Sequence, residues 1–272
     1  MNRIRGSSRP FVVIGDPIAH SLSPAMYNAA FTALGLDAIY VPIRTDESAL
    51  PHVLRAFESV GIAGNVTIPH KIEVARLLIR VTPLAKELEA ANTFWPEGGR
   101  LVGDNTDVAG LIDALEPLEP EGPWLVSGVG GAARAVAAAA RELDMTLLVR
   151  SRSRDRAVSF VAWAQNLGLD CRVDDGSQAR TAINATPLGL RQSDKPPFGD
   201  RQLDGCRTAM DLVYVPGATP WVKDCQKRGM RAADGRSMLV AQGIHAFKRF
   251  FPEAKPPREV MRAAIDRELG RR

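Results

Sequence analysis

One stretch of the sequence combines residue types that could bind a polar ligand or move a proton. In GNVTIPHK, residues 64–71, polar and apolar residues alternate, so the amide of Asn65 and the hydroxyl of Thr67 share one side of a predicted strand. Pro69 ends the alternation, and the amine of Lys71 follows it. Two interpretations are open: an edge strand whose polar residues face water, or a strand that lines a polar site.

A glycine-rich turn between a predicted strand and a predicted helix could bind the phosphates of a dinucleotide. Gly128, Gly130 and Ala133 form a G-x-G-x-x-A arrangement. Such glycines permit a tight turn and close approach of a pyrophosphate, and the helix N-terminus offers free N–H groups to that anion. A glycine triplet alone is often only a turn. The flanking strand, the long helix and the following strand favour a dinucleotide site.

The end of the next predicted strand indicates which dinucleotide binds. An NAD-binding chain usually carries an acidic residue about twenty positions after the first glycine, where it accepts from the ribose 2′-hydroxyl. This chain has VRSRSRDRA, residues 149–157, with no acid at that place. Guanidinium groups bind a 2′-phosphate bidentately and serine hydroxyls add donors, so NADP is favoured over NAD. Arg154 and Arg156 could alternatively begin a solvated basic helix.

These segments lie in a chain whose predicted strands and helices alternate, which favours βαβ units, parallel sheets and the α/β fold class. The helix over residues 23–36 is predicted to have Ser23 as its N-cap and Gly35 at its end. In the first hundred residues the strands are predicted at 11–15, 38–43 and 64–68, and further helices within 47–62 and at 72–79.

A second alternating series follows EPLEPEGP, residues 116–123, whose prolines and acids predict a linker. The strand WLVSG precedes the glycine turn, an alanine-rich helix follows it, and MTLLV, TAINA and TAMDLVYV are predicted as later strands. Two helices are predicted near the end of the sequence, in SMLVAQGIHAFKRFF and PPREVMRAAIDRELG.

Composition limits the class of protein. The 272 residues are 45% hydrophobic and 24% charged, as expected for a soluble globular protein with a sizeable core. A modest net charge of +4 with interspersed signs predicts no nucleic-acid partner but suits anionic small molecules. No apolar run predicts a membrane span or a signal peptide. Three scattered cysteines predict reduced thiols in the cytoplasm and no metal site.

Taken together with the glycine turn, GNVTIPHK makes the chain resemble the shikimate dehydrogenase family over nearly its full length. The resemblance rests on eight blocks in the same order: GDPIAHSLSPAMYNAAF (15–31), GNVTIPHK, AANT (90–93), GDNTDVAG (103–110), GVGGAARA (128–135), NATPLGL (184–190), DLVYVPGATP (211–220) and ADGRSMLVAQG (233–243). Such an ordered set is far more specific than any one motif.

The resemblance implies a site for a carboxylated polyhydroxy ring, shikimate or 3-dehydroshikimate. Lys71 and Asp107 would form the catalytic pair, in which an ammonium held by a carboxylate donates a proton to the ring oxygen. An ordinary surface salt bridge is the alternative for these two residues. The residues that would contact the substrate are Ser21, Ser23, Asn65, Thr67 and Asn92, with Tyr214 and Gln242 from the second series of elements.

The same resemblance implies the cofactor NADP, a Rossmann-type NADP-binding domain at residues 111–239, and a substrate-binding α/β domain at 1–110 and 240–272, with a cleft between them. The activity would be NADP-dependent oxidation of shikimate, or the reverse reduction, in aromatic amino acid biosynthesis, by a monomer or homodimer. The residues that would hold the cofactor are Gly128, Val129, Gly130, Gly131, Ala132, Ser151, Arg152, Ser153, Arg156, Thr186, Leu212 and Gly235.

The chain departs from the family pattern at several positions. The usual histidine–asparagine after the opening serines is Tyr27-Asn28 here, which could alter packing beneath the ring. Glu89 replaces a glycine, Ala91 replaces a valine, and Val129 replaces the small residue between the first two glycines. The usual N-R-T at the phosphate site is Ser-Arg-Ser, residues 151–153, which retains the arginine and a hydroxyl.

Two alternatives stay open at this stage. The first is a paralogue that oxidises quinate or a related polyol, possibly with NAD; room near Ser21, Ser23 and Tyr214 would decide. The second is a non-catalytic dinucleotide-sensing protein on the same scaffold, which would have no need of the Lys71–Asp107 pair.

Overall fold

The computed structural model describes residues 4–270 and divides them into two compact units. The first comprises residues 4–107 and 240–270, and the second comprises residues 108–239. Each unit contains a six-stranded sheet with helices, so both are α/β.

The first unit contains the GNVTIPHK segment. Its strands are β1 (Arg9–Gly15), β2 (Ala38–Arg44), β3 (Ala63–Val66), β4 (Arg80–Val81), β5 (Thr93–Glu97) and β6 (Arg100–Asp104). The helices preceding its boundary at residue 107 are α1 (Ser23–Ala33), α2 (Leu50–Val60), α3 (Lys71–Leu77) and α4 (Pro83–Glu87). Two later helices belong to it, the larger part of α10 (Arg236–Phe250) and all of α11 (Arg258–Leu269).

The first sheet has the order β2-β1-β3-β5-β6-β4 and is mixed. Strands β1, β2 and β3 are parallel, as predicted, but β5 runs antiparallel to both β3 and β6. This hairpin is not among the predicted elements. Its signal was Gly98-Gly99, two glycines with φ of 60° and 75° that form the turn between β5 and β6.

Both faces of the first sheet are covered, which explains why β1 is a run of buried residues without alternation. Val12 and Ile14 pack in one apolar cluster with Leu50, Leu54 and Val74, which come from α2 and α3. Phe11 instead contacts an aromatic group formed by Phe31, Phe250 and Phe251, with ring centroids 5.2–5.4 Å away. The sheet is therefore a rigid layer on which side chains at strand ends can be positioned.

The second unit has the order of a dinucleotide-binding sheet. Its strands are β7 (Trp124–Ser127), β8 (Leu147–Arg150), β9 (Cys171–Val173), β10 (Thr181–Asn184), β11 (Thr208–Asp211) and β12 (Arg231–Ala233). They are all parallel in the order β9-β8-β7-β10-β11-β12, the 3-2-1-4-5-6 arrangement of a Rossmann fold. Its helices are α5 (Asp107–Leu115), whose first residue belongs to the first unit, and α6 (Gly131–Glu142), α7 (Arg154–Asn166), α8 (Asp200–Leu203) and α9 (Pro220–Lys227).

The proline-rich segment at residues 116–123 is not a linker, which corrects the prediction. Residues Glu116–Leu118 form a short 3₁₀ helix, and the hydroxyl of Thr208 donates to the carbonyl of Leu118. Arg231 donates to the backbone oxygens of Leu118 and Glu119 at 2.8 and 2.9 Å. These hydrogen bonds from β11 and β12 hold the segment on the second unit, although its composition is that of a loop.

Candidate active site

Lys71 is positioned by the turn that follows β3. The strand ends at Val66, and α3 begins at Lys71 itself. The preceding residue, His70, is buried, and its Nε2 lies 2.6 Å from the carbonyl oxygen of Thr45. Because that carbonyl can only accept, Nε2 must donate. The imidazole therefore anchors the backbone from which Lys71 projects.

The amine of Lys71 donates to a carboxylate oxygen of Asp107, with an Nζ–Oδ2 distance of 2.5 Å. Asp107 is the first residue of α5, and its backbone N–H donates to the side-chain oxygen of Asn105. The two side chains are only 16% and 5% exposed, so the pair is not an ordinary surface salt bridge. The predicted contact across 36 positions of sequence is confirmed.

Asn92 holds the other oxygen of the same carboxylate. Its Nδ2 donates to Asp107 Oδ1 at 2.7 Å and lies 3.5 Å from Oε1 of Gln242. The backbone N–H of Thr106 donates to Asn92 Oδ1 at 2.8 Å, which requires that the amide nitrogen face Asp107. Gln242 lies on α10 in the first unit, so four predicted site residues meet within one domain.

This cluster has the chemistry of a proton donor. A buried carboxylate that accepts hydrogen bonds from both an ammonium and an amide holds the two donors in fixed directions. Burying such a pair in water-poor surroundings costs desolvation energy, which a purely structural role could avoid with apolar residues. The arrangement can protonate an oxygen that develops negative charge next to Lys71.

Ser21, Ser23 and Thr67 lie at the carboxyl ends of neighbouring parallel strands. Ser21 and Ser23 follow β1, and Thr67 follows β3. The backbone N–H of Thr67 donates to the carbonyl of Ile14 on β1. The N-cap prediction for Ser23 is wrong: α1 begins at Ser23 and its N-cap is Leu22, without a side-chain capping bond. Ser21 instead accepts from the Ser23 N–H at 3.3 Å, so this serine does have a local structural contact.

Asn65 differs most from its prediction as a substrate contact. Its Oδ1 accepts from the hydroxyl of Tyr40 at 2.8 Å, and its Nδ2 donates to the hydroxyl of Thr93 at 2.9 Å. The same Nδ2 lies 3.3 Å from the carbonyl oxygen of Asn92. Both the oxygen and the nitrogen of this buried amide are thus engaged by protein groups, which favours a role behind the site rather than in it.

Two departures from the family pattern have visible consequences in the first unit. Tyr27 is fully buried, stacks on Tyr40 with 4.4 Å between ring centroids, and donates its hydroxyl to the carbonyl of Gly243 on α10. Glu89 has φ of 48°, the left-handed conformation that favours glycine. Its side chain there costs about 1–2 kcal/mol of backbone strain relative to glycine.

In the second unit the glycine turn lies between the C-terminus of β7 and the N-terminus of α6. Gly128 has φ of 118°, and a Cβ there would lie 2.7 Å from the carbonyl oxygen of Ala185. Gly130 is the N-cap of α6 without a side-chain cap, and a Cβ on it would meet no atom within 4 Å. The space beside Gly130 is therefore open and the helix start has no side-chain cap, which suits a phosphate.

A buried polar network positions the loops beside this turn. Asn184, at the end of β10, accepts from the backbone N–H and hydroxyl of Thr186 at 3.0 and 2.6 Å. Its Nδ2 donates to Asp211 at the end of β11, and its carbonyl accepts from the Leu212 N–H. A Cβ on Gly235 would lie on the carbonyl of Leu212. Gly128, Thr186, Leu212 and Gly235 thus share the carboxyl edge of one sheet.

The environment of Asp211 predicts a pH-dependent stability. Burial raises the pKa of this carboxyl to about 6, and the nearby charge of Asp234 adds a smaller increase. Hydrogen bonds from Thr219, Val213 and Asn184 lower the pKa and so offset part of this rise. A folded-state pKa above the unfolded value means that the folded protein binds more protons between about pH 4 and 6. The stability contributed by Asp211 is therefore lost as pH rises through this window.

We expect Asp211→Asn to remove this dependence. Relative to the variant, the wild-type protein should lose about 3 kcal/mol of unfolding free energy between pH 4 and pH 7, since one pKa unit corresponds to about 1.4 kcal/mol. Urea unfolding of both proteins across that range measures the difference, with NADP⁺ absent throughout. A free-energy difference that does not change with pH would contradict the expectation.

The serine- and arginine-rich segment lies at the end of β8 and the start of α7. Ser153 is the N-cap of α7, where its hydroxyl accepts from the Arg156 N–H, while Arg152 and Arg156 are exposed. Ser151 accepts from the backbone N–H of Ser153 at 3.4 Å. Val129, Gly131 and Ala132 are half-buried at the glycine turn, and Tyr214 is half-buried after β11.

The residues that support the Lys71–Asp107 pair are not among the predicted site residues. Four residues contact the cluster or its neighbours: His70, Thr93, Thr106 and Tyr40. The place of His70, Thr93 and Thr106 inside the GNVTIPHK, AANT and GDNTD blocks was a signal, whereas Tyr40 lies outside all three blocks and had none. Asp104 was also missed. It is buried and accepts from the guanidinium of Arg249 at 2.7 Å, which fixes α10 to the end of β6.

Possible metal ligands, membrane-spanning helices and thiols were sought among residues 4–270. No group of three or more histidine, cysteine or acidic side chains there could hold a metal ion. In the same range, no helix is long and apolar enough to span a membrane. Cys171, Cys206 and Cys225 are free, and burial raises their pKa to about 12, 11 and 12, which makes each a poor nucleophile near neutral pH.

Two family models match the chain. The model described as the shikimate dehydrogenase substrate binding domain matches residues 13–94, which include Lys71 and Asn92. The model described as the shikimate 5′-dehydrogenase C-terminal domain matches residues 235–265, which include Gln242.

Whole-chain comparisons agree with these models. A protein of Thermus thermophilus named shikimate dehydrogenase (NADP(+)) is 38% identical over 267 residues, covering 96% of this chain and 98% of its own. One of the same name from Trichormus variabilis is 35% identical, covering 98% and 99%. A solved structure of Thermus thermophilus shikimate 5-dehydrogenase with NADP(H) and shikimate has a TM-score of 0.86 at 35% identity, covering 96% of this chain and 100% of that one.

Proposed function

The chain belongs to the shikimate dehydrogenase family, and we infer from this that it is an NADP-dependent oxidoreductase that reduces 3-dehydroshikimate reversibly to shikimate. The reaction belongs to aromatic amino acid biosynthesis. The observation that carries the assignment to chemistry is the buried cluster of Lys71, Asp107 and Asn92 inside the region related to the substrate-binding domain.

Lys71 performs the proton transfer in this proposal. Reduction of the ring ketone puts a hydride on carbon and a proton on oxygen; bound NADPH supplies the hydride. The ammonium of Lys71 donates the proton to the ketone oxygen as its C=O bond becomes a C–O single bond. The resulting neutral amine regains a proton from water. In the oxidative direction the amine accepts the hydroxyl proton.

Asp107 and Asn92 keep Lys71 ready for this step. The carboxylate fixes the direction of the amine, because one oxygen of Asp107 accepts from Lys71 while Asn92 holds the other oxygen. A preorganised charge costs no rearrangement when the oxyanion develops. Gln242, beside Asn92, would bind a ring hydroxyl from α10.

The remaining first-unit residues would hold the ring and its carboxylate. Ser21 and Ser23 stand at the start of α1, where hydroxyls and helix N–H groups together suit an anion. Thr67, at the end of β3, would donate to the same carboxylate or an adjacent hydroxyl. Tyr214, from the second unit, would contact the substrate through its phenol hydroxyl.

The residues of the second unit fit NADP. The bare glycine turn at Gly128 and Gly130 leaves room for a pyrophosphate on the α6 N-terminus, together with the backbone of Val129, Gly131 and Ala132. Ser151, Arg152, Ser153 and Arg156 would bind the 2′-phosphate. Thr186, Leu212 and Gly235 share a sheet edge with Gly128 and would lie along the nicotinamide half.

We expect Arg152→Gln to weaken NADP⁺ binding selectively. Loss of a guanidinium that pairs bidentately with the 2′-phosphate removes a charge-assisted contact of about 1.5–3 kcal/mol, so the Kd for NADPH should rise about 10- to 100-fold. Binding of NADH, which lacks that phosphate, should change less than twofold. Titration of cofactor fluorescence measures both.

Arg201→Gln is the matched control for this experiment, because Arg201 is an exposed arginine on α8 of the same unit. It should leave both dissociation constants unchanged. Equal weakening of NADPH and NADH binding by Arg152→Gln would assign the residue to the shared part of the dinucleotide and contradict the 2′-phosphate contact.

The function is tested by following reduced nicotinamide with shikimate or quinate, each with NADP⁺ or NAD⁺. The highest kcat/KM should belong to shikimate with NADP⁺. The relatives compared are named for shikimate and NADP⁺, which disfavours the quinate alternative. Turnover mainly of quinate with NAD⁺ would overturn both substrate and cofactor.

The proposal also covers location and assembly. A cytoplasmic location agrees with the three free thiols. A monomer or homodimer is expected, and light scattering of the purified protein distinguishes these from larger assemblies.

A further inference from the structure

A line of buried polar side chains crosses the first sheet and ends at Asp107. The hydroxyl of Tyr40 on β2 bonds Asn65 on β3 at 2.8 Å, and Asn65 bonds Thr93 on β5 at 2.9 Å. Thr93 bonds Asn92 at 3.0 Å, and Asn92 bonds Asp107 at 2.7 Å. Tyr40, Asn65, Thr93 and Asn92 are each at most 6% exposed.

Backbone groups determine which atom donates at the two amides. The Asn92 carbonyl, which can only accept, lies 3.3 Å from the Asn65 amide nitrogen, so Asn65 Oδ1 must face Tyr40. The Thr106 N–H, which can only donate, faces Asn92 Oδ1, so the amide nitrogen of Asn92 must face Asp107. The hydroxyl of Thr93 accepts from Asn65 and can therefore give its own proton to Asn92 or to Thr106.

The tyrosine end of the line stays protonated. Burial raises the pKa of Tyr40 well above its usual value, and the neighbouring Tyr27 adds to the shift. A neutral phenol has a proton to donate, and Asn65 Oδ1 receives it. All the donors therefore point the same way, from Tyr40 to the carboxylate of Asp107, and hydrogen bonds in such a chain polarise and strengthen one another.

Packing alone does not require this line. The layer around it contains aromatic and aliphatic side chains such as Phe11, Phe31 and Phe247, and apolar residues in place of Asn65 and Thr93 would need no partners. Buried polar chains are costly when one member is missing, since the neighbour is left desolvated without a hydrogen-bond partner. The line ends on the carboxylate that holds Lys71.

We propose that Tyr40, Asn65 and Thr93 are positioning residues for proton transfer, which hold the amide of Asn92 so that Asp107 keeps Lys71 aligned. This inference rests on the proposed function and assigns Asn65 a role behind the site. None of the three residues touches the reacting atoms. They act through Asn92, so replacing them should lower kcat, and this fall should occur only when Asp107 is present.

Thr93→Val tests the line at its centre, because valine keeps the shape of threonine without the hydroxyl. We expect kcat for shikimate oxidation to fall about tenfold, the effect of losing roughly 1.4 kcal/mol of transition-state stabilisation. The KM for shikimate should change less than threefold, and the Kd for NADP⁺, bound by the other unit, should not change. Thr93→Ser, which keeps a hydroxyl, should restore kcat to within twofold of wild type.

Dependence on Asp107 separates positioning from general damage. In an Asp107→Asn background, Thr93→Val should change kcat less than twofold, since the carboxylate that the line orients is already gone. A tenfold loss in both backgrounds, failure of serine to rescue, or a wild-type kcat in Thr93→Val would each overturn the proposal. Thr32→Val, an exposed threonine on α1, is the matched control and should behave as wild type.

Two further measurements keep the test decisive. If Thr93→Val does not fold, Tyr40→Phe removes only the terminal hydroxyl and should lower kcat two- to fivefold in wild type but not beside Asp107→Asn. Selective ¹⁵N-asparagine labelling needs no turnover: Thr93→Val should shift the side-chain NH₂ signals of Asn92, and Thr32→Val should not. An inactive wild type would refute the function alone, whereas unmoved Asn92 signals would refute the positioning line alone.

Discussion

Lys71→Ala should lower kcat for shikimate oxidation by about 10³-fold, the middle of the range for losing a positioned acid or base. The expectation follows from the structure, in which the Lys71 side chain is 16% exposed and its amine is aligned on Asp107. Water can replace it only as a poorly oriented proton carrier. The Kd for NADP⁺ should stay within twofold, because the glycine turn and the arginines belong to the other unit.

Stopped-flow and steady-state measurement of NADPH formation check this result, with cofactor binding followed by fluorescence. Lys86→Ala, an exposed lysine of the same unit at the end of α4, is the matched control and should retain full activity. A Lys71→Ala enzyme that retained more than a tenth of wild-type kcat would remove Lys71 from the proton transfer. If the wild-type protein shows no turnover and Lys71→Ala still responds to ligand as wild type does, the dinucleotide-sensing alternative would be supported instead.

Asp107→Asn should lower kcat by about 10²-fold, within the range for a residue that serves an acid–base step. Both present partners of the carboxylate are donors: Lys71 Nζ at one oxygen and Asn92 Nδ2 at the other. An asparagine must therefore present its own NH₂ to one of them, and that contact becomes donor against donor. Either the amine or the amide loses its alignment.

The double variant Lys71→Ala/Asp107→Asn makes this prediction specific. If Asp107 acts through Lys71, the double variant should be no slower than Lys71→Ala alone, as expected for residues that work as a unit. Independent, multiplied losses would show that Asp107 acts separately on the substrate. Glu253→Gln replaces an exposed carboxylate of the same unit and should leave kcat unchanged.

The quinate alternative and the shikimate assignment differ in what surrounds one ring carbon. Quinate carries an additional hydroxyl at the carbon that bears the carboxylate, and the serines after β1 would face that carbon. Ser21 is already engaged by the Ser23 N–H, which orders the strand-to-helix junction before ligand binds. The relatives named for shikimate share this chain over nearly its whole length, so the shikimate assignment is preferred.

Much of the fold could be predicted from local patterns. The buried run of β1, the glycine turn before α6 and the alanine-rich helix α6 follow from short segments whose neighbours along the chain determine their conformation. The same is true of the choice of NADP, since the residues at the end of β8 lie at a fixed distance from the turn. Gly98-Gly99 is likewise a local signal, in this case of the hairpin turn between β5 and β6, although the hairpin is not among the predicted elements.

Two predictions of local structure are wrong, for different reasons. The acidic, proline-rich segment was predicted as a linker, yet carbonyls at Leu118 and Glu119 meet Arg231 and Thr208 of the second sheet. Ser23 was predicted to cap α1, but the helix begins at Ser23 itself. The partners of the first segment are distant in the sequence, whereas α1 begins one residue early because the Met26 N–H donates to the Leu22 carbonyl.

Two alternating α/β series, a glycine turn suited to a pyrophosphate and the candidate groups for proton transfer could all be recognised from the order of the residues. Which side chains meet depends on how the strands are arranged in space. Asn65 lies beside Thr93 because β3 pairs antiparallel with β5. Since β6 is also antiparallel to β5, it runs in the same direction as β3, and Asp107 after β6 can reach Lys71 after β3. Strand order and register join residues far apart in the chain, and the energies that select them are spread over a whole sheet rather than contained in any one segment.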